Sequence, residues 1–359
     1  ENIGIQKLDK QTWQIQAVET SINIHYQVYA YDLSVRGAYI NDEIAFFNGT
    51  NMFLTVVGQT DKKCSLTLVQ PPQTELSHWQ VATTMPIATP KEQQASHSFG
   101  DFYAQNYQEL IDHPVLIGEF EVLPFSVAGV AFELIFAGGH QTDVKRIIND
   151  LTKICQHHID FFADSPPIER YQFITLLTDN AFGGLEHISS TALMYSRNDL
   201  PLMSEADKMT DGYRIFLSLC SHELFHTWHV KRIKPRVMVN PDLSQETYTN
   251  QLWIYEGFTS FYDDVTLARA GVIEPQKYLD IVAQNVSRLI QNTGRLKQSA
   301  AESSFDAWTK FYKQDASATN NIVSYYTKGG VIALGLDLLL RKASNNSVNL
   351  DALMRLLWE

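Results

Sequence analysis

Ser221-His222-Glu223-Leu224-Phe225-His226 decides how this chain is read. It lies in a segment of helical spacing, since Ile215, Phe216, Leu219 and Cys220 precede it at helix-compatible intervals. Residues four apart share one helix face, one turn above each other, so the two imidazoles can converge on a single ion. That ion suits zinc, which takes imidazole nitrogens at about 2.0–2.1 Å. Glu223 stands about 100° round the helix from His222 and cannot join the same stripe. Its carboxylate can instead reach a water at the metal and take its proton.

A catalytic zinc takes three protein ligands and keeps one position open. The best third candidate is Glu256, within Leu252-Trp253-Ile254-Tyr255-Glu256-Gly257-Phe258 on a second expected helix. A loop containing Pro235 and Pro241 lets the chain reverse between the two helices. The ordinary reading of such a carboxylate is a solvated or paired side chain. Among Trp, Ile, Tyr and Phe, however, a buried charge needs a partner, and a metal supplies one. His229 shares the histidine stripe but lies one turn beyond an ion seated between His222 and His226. It reads as a packing residue or a support behind the ligands.

Working outward, the first 140 residues read as β-structure. Segments 22–29, 52–57, 65–69 and 131–136 alternate with period two, separated by turn signals such as Asn48-Gly49-Thr50-Asn51, Pro71-Pro72 and Gly138-Gly139. After His140 the spacing predicts a helix over 143–162, a strand over 171–178, a turn at 180–184 and a strand over 185–192. Helices are expected over 211–232, 250–270, 275–292 and 327–342. The fold class is therefore α+β, with a β-rich N-terminal domain at 1–140 and a mostly helical catalytic domain at 141–359.

Composition narrows the partners. The 359 residues carry a net charge of -12, which argues against a nucleic-acid partner because phosphates demand clustered Lys and Arg. Cys64, Cys155 and Cys220 are odd in number and widely spaced, so neither a disulfide framework nor a Cys-x-x-Cys metal site is indicated. No stretch approaches the ~20 apolar residues of a membrane span. The opening lacks the basic and apolar regions of a leader. The expectation is a cytoplasmic protein, or a periplasmic one if a leader has been removed.

The run His222-Glu223-Leu224-Phe225-His226-Thr227-Trp228-His229-Val230-Lys231-Arg232-Ile233-Lys234-Pro235 resembles the extended helix motif of the glycyl aminopeptidase family of zinc peptidases. That family is related to aminopeptidase N and thermolysin in the gluzincin group. Residues 253–258 look like the group's third-ligand motif. The resemblance extends through Ser34-Val35-Arg36, Phe46-Phe47-Asn48-Gly49-Thr50 and Leu110-Ile111-Asp112-His113-Pro114. It implies a thermolysin-like catalytic domain with one zinc ion per chain. It also implies further β-strands before this sequence and a PDZ domain after it. One departure is His229, where the family usually has Asn.

Two more segments gain meaning from this likeness. Gly183-Gly184-Leu185-Glu186-His187 is similar to the Gly-x-Met-Glu-Asn segment of aminopeptidase N relatives. The likeness implies that Glu186 pairs with a substrate's free α-amine, and a charge-assisted hydrogen bond of that kind is strong. Gly183 and Gly184 would let a peptide backbone approach and pair in β fashion. The plain alternative is a turn followed by a surface Glu. Tyr325-Tyr326-Thr327-Lys328-Gly329-Gly330 resembles a Tyr-Glu-Lys-Gly segment, which implies that Tyr326 donates to a developing oxyanion. Tyrosines ahead of a helix are more often packing residues, as Tyr325 would be.

The resemblance thus implies an aminopeptidase acting on peptides with a free N-terminus, with Gly or Ala preferred there. The rivals are a thermolysin-like endopeptidase and a catalytically inactive peptide-binding scaffold. Intact His222, Glu223, His226 and Glu256 count against the scaffold. His157 and His158 read as surface or packing residues. Lys231, Arg232 and Lys234 either line the cleft or favour a helix C-terminus. Nothing in the sequence fixes the oligomeric state.

Overall fold

Five strands form one mixed sheet in the order Phe182–Glu186, Ser190–Ser196, Arg170–Thr178, Val130–Ala137, Glu121–Val127. The computed structural model describes residues 4–16, 21–88, 95–163, 165–205 and 208–359, so residues 1–3, read above for a leader, lie outside it. The three inner strands run parallel and the two outer ones antiparallel to their neighbours. Parallel pairing needs a crossover. The helix Val144–Phe162 provides it, started by Asp143, whose side chain accepts from the Arg146 N–H.

Strand alternation buries both faces of this sheet. Phe132, Leu134 and Phe136 pack with Ile147, Leu151 and Ile154 under the helices. Ile135 and Ala137 face the other way, onto Val35, Phe46, Ala82 and Leu116 of the N-terminal region. Each fully buried Leu or Phe contributes about 1.5–3 kcal/mol relative to exposure, so this face welds the N-terminal region to the rest.

The N-terminal region contains a four-stranded antiparallel sheet ordered Ala38–Ile40, Ile44–Phe47, Val115–Gly118, Gln80–Ala82. A separate ribbon pairs Cys64–Leu68 with Gly100–Ala104. Residues 22–29 and 52–57, expected as strands, are not. Ile22, Ile24, Tyr26, Val56 and Val57 are solvent-exposed, and among the described residues no strand pairs with either segment. Alternation without a ladder partner does not hold a strand.

The boundary expected at 140 is crossed by hydrogen bonds. Glu121–Val127 and Val130–Ala137 belong to the large sheet, because Val130–Ala137 pairs in parallel with Arg170–Thr178. The turn expected at 180–184 is instead the start of the edge strand Phe182–Glu186, and the strand expected over 185–192 divides around 187–189. Gly183 and Gly184 serve close approach here: a Cβ on Gly183 would meet Val35 at 3.8 Å, and one on Gly184 would strike Glu223.

The four expected helices are Asp211–Phe225, Leu252–Arg269, Pro275–Gln291 and Tyr325–Ala343. The first ends seven residues early, because the chain turns at His226 and Val230 takes φ +127°. Against expectation, one stretch, Ala318–Ala343, is long and apolar enough to cross a membrane by length and composition alone. It carries Lys328, Asp337 and Arg341 and packs closely on Leu252–Arg269, as a helix within a bundle does.

Candidate metal centre

The helix Asp211–Phe225 is started by Thr210, whose hydroxyl accepts from the Tyr213 N–H, and its last turn carries His222. His226 is the C-cap residue, still in helical geometry, so the two rings meet edge to face one turn apart with centroids 4.7 Å from each other. Leu252–Arg269 crosses this turn and delivers Glu256. One carboxylate oxygen of Glu256 lies 3.2 Å from His222 Nε2 and 3.2 Å from His226 Nε2. Among the described residues no other group of three His, Cys, Asp or Glu side chains converges so closely.

The far side of each ring is fixed. His222 Nδ1 donates to Asp263 Oδ2 at 2.9 Å, and His226 Nδ1 donates to the His229 carbonyl at 2.7 Å. Both Nε2 lone pairs are thereby left free to coordinate a cation, the tautomer a metal ligand needs. Donors about 2.0–2.1 Å from a common tetrahedral centre lie about 3.3 Å apart, so the 3.2 Å spacings fit a small divalent ion. Burial alone would raise the Glu256 pKa, but His226 and His222 outweigh it and hold the carboxyl below its usual range.

Asp263 was absent from the sequence reading. It follows Glu256 by seven positions, two helical turns, and so shares its stripe; that spacing is the signal that could have found it. Asp263→Ala removes the acceptor that orients His222 and is expected to weaken divalent-metal affinity about 10- to 100-fold, read by competition with a chromogenic chelator. His158 is buried, neither exposed nor a ligand. Its Nε2 lies 2.8 Å from Ser221 Oγ, which in turn donates to the Asp263 carbonyl at 3.2 Å. His229 contributes through its backbone, while its ring lies 3.3 Å from Thr259 Oγ1 and stacks near Tyr255.

Glu223 is buried, and its Oε2 has no hydrogen-bond partner among the described residues. Burial pushes its pKa up, against the lowering influence of His222 and His226. A buried carboxylate oxygen without a partner is costly unless a ligand or water meets it. Its other oxygen lies against Gly184 on the edge strand, so close that a Cβ there would sit 2.1 Å away. Glu186 ends the same strand and forms no ion pair among the described residues. It lies near enough to act on the charges of Glu223 and His226.

Tyr326 opens its helix with its ring 6.2 Å from that of His222. Burial and the Glu256 carboxylate raise its phenol well above the ordinary value, so the proton stays on as a donor. Tyr325 is buried and donates to the Tyr312 hydroxyl at 3.0 Å, and that hydroxyl lies 3.4 Å from Tyr326's. Lys231 donates to Asp112 at 2.8 Å, where His187 also bonds at 3.1 Å, tying the N-terminal region to the end of the edge strand. Burial would raise the Asp112 pKa, yet Lys231 and His187 together hold it at about 2. Arg232 binds backbone carbonyls of Thr227 and Pro167 and is structural. A concavity of about 1200 Å³, lined by Glu119, Glu121 and His140 among others, lies elsewhere and gathers no such donor set among the described residues.

The sequence profile of the peptidase M61 N-terminal domain matches residues 1–119, and that of M61 glycyl aminopeptidase matches residues 215–332. The chain belongs to the M61 glycyl aminopeptidase family. This M61 chain is similar to an aminopeptidase N family protein from Idiomarina loihiensis, at 45% identity and a TM-score of 0.95 over 99% of its length. It spans 59% of that relative. An M1 zinc metallopeptidase mutant from Deinococcus radiodurans shares the fold, at 13% identity and a TM-score of 0.50 over 88% of the chain and 62% of its own. No curated protein matches the chain. A β-rich N-terminal domain followed by a helical one is thus the M61 architecture, and the N-terminal match stops just before the large sheet begins at Glu121.

Proposed function

We propose that this M61 chain is a zinc-dependent aminopeptidase that removes small N-terminal residues, Gly or Ala, from peptides. One observation carries the reading: a single Glu256 oxygen lies 3.2 Å from both histidine Nε2 atoms, with the unpartnered Glu223 carboxylate beside them under a glycine edge strand. His222, His226 and Glu256 would hold the ion, which supplies Lewis acidity to water and to the scissile carbonyl.

The remaining work belongs to the chain's own side chains. Glu186 pairs with the substrate's α-ammonium, and this contact fixes which bond is cut. The backbone at Gly183 and Gly184 accepts the peptide as an added strand, with no side chain in the way. Glu223 takes a proton from the attacking water and hands it to the leaving amine nitrogen. Tyr326 donates to the carbonyl oxygen as negative charge grows there.

Unblocked and acetylated Gly- and Ala-arylamides, assayed with and without chelator, test this. The expected result is turnover of the unblocked substrates alone, lost with chelator and restored by zinc. Equal cleavage of acetylated peptides would instead favour the thermolysin-like endopeptidase, and no turnover with no bound zinc would favour the inactive scaffold.

A further inference from the structure

The N-terminal region also reaches the cleft, at Ser34–Val35–Arg36. Val35 is buried against the large sheet and stands 3.8 Å from where a Gly183 Cβ would be, so this loop lies directly beside the edge strand. The loop is firmly held. Asn51 donates to the Arg36 carbonyl, the Arg36 N–H donates to Ser34 Oγ at 3.3 Å, and Gly37 fits so closely that a Cβ would lie 2.5 Å from Asp32. Arg36 itself is exposed, with its guanidinium 5.1 Å from the centre of the Tyr312 ring. The Tyr312 hydroxyl lies 3.4 Å from that of Tyr326. Among the described residues no carboxylate comes within 4.0 Å of Arg36.

The edge strand gives the cleft a direction. Glu186 is at one end, Gly184 lies over Glu223, and Gly183 lies beside Val35. A peptide whose ammonium meets Glu186 therefore passes the base and then runs toward Gly183, at about 3.3 Å per residue. Arg36 stands at that leaving end: its neighbour Val35 lies against Gly183, and its guanidinium rests on Tyr312, whose hydroxyl is 3.4 Å from that of Tyr326. An arginine seated on a ring keeps its fork of N–H donors free at the edge, and that fork matches a carboxylate in a bidentate way.

We propose that Arg36 binds the C-terminal carboxylate of di- and tripeptides, making short peptides with a free C-terminus the preferred substrate class. This rests on the aminopeptidase reading above, because Glu186 and Glu223 set the direction. In a protein of net charge -12 a negatively charged substrate end needs such a local cation.

The test compares Ala-Ala and Ala-Ala-Ala as free acids with the same peptides as C-terminal amides, for the wild type, Arg36→Met and Arg36→Lys. Wild type is expected to favour the acids roughly 10- to 100-fold in kcat/KM, mainly through KM, as a charged hydrogen bond implies. Arg36→Met should bring the acid-to-amide ratio close to one, and Arg36→Lys should restore part of it. A merely structural role would lower both substrates alike and leave the ratio unchanged, and that result overturns the proposal. So does a wild-type ratio near one. Calorimetric binding of the acid and the amide to Glu223→Gln protein, with and without the Arg36 substitutions, supplies the same ratio with turnover suppressed. Failure of the aminopeptidase reading, seen as no cleavage or as cleavage of acetylated peptides, is thereby distinguished from failure at Arg36.

Discussion

Glu223→Gln is expected to lower kcat toward Gly- and Ala-arylamides by roughly 10²- to 10⁴-fold, while the protein still folds and still binds one zinc ion. The substitution keeps the shape of the side chain and removes its ability to accept a proton. Structure should survive, because Glu223 Oε2 has no partner to lose and the amide fits the same space against Gly184. Zinc should stay, because the proposed donors are His222, His226 and Glu256, and the groups behind their rings are Asp263 and the His229 carbonyl. The measurement pairs metal analysis with steady-state kinetics on the same preparation. Near-normal kcat with full zinc occupancy would remove Glu223 from the chemistry. A loss of zinc along with activity would make it a ligand instead.

The site was more legible in the sequence than the fold around it. His222, Glu223 and His226 lie within one helical turn, so helical periodicity alone fixes their relative positions. Glu256 was readable because a carboxylate among aromatic residues demands a partner. Tertiary contacts were harder. The glycines at 183 and 184 look like a turn in one dimension, and only packing against Val35 and Glu223 explains why an edge strand needs them. The alternating segment at 22–29 carries the strand pattern, yet its exposed Ile22, Ile24 and Tyr26 show that pattern without a pairing partner is not enough. Asp112, Lys231 and His187 come from three distant parts of the chain, and no local spacing announces that they meet. Arg36 and Tyr312 meet across a still greater distance in sequence.

The placement of Glu256 opposite Tyr326 depends on two glycines, and Gly329→Ala tests that dependence. Gly257 follows Glu256 immediately, and Gly329 follows Tyr326 by three positions. The helices Leu252–Arg269 and Tyr325–Ala343 touch there backbone to backbone: a Cβ on Gly329 would lie 2.4 Å from the Trp253 carbonyl oxygen and 2.8 Å from Gly257 Cα. No side chain can swing away to make room, so the helices must part. Overpacking of this kind costs about 1–3 kcal/mol, and occasionally more. Parting the helices also moves Tyr326 and Glu256 relative to the two histidines. Gly329→Ala is therefore expected to lower the thermal midpoint by several degrees, weaken zinc binding and reduce kcat together. Gly335 lies on the same helix with nothing within 4 Å of a built Cβ. Gly335→Ala should gain up to about 1 kcal/mol from helix propensity alone and leave zinc binding unchanged. If both variants rise in stability with normal zinc affinity, the glycine contact does not set the spacing of the metal centre.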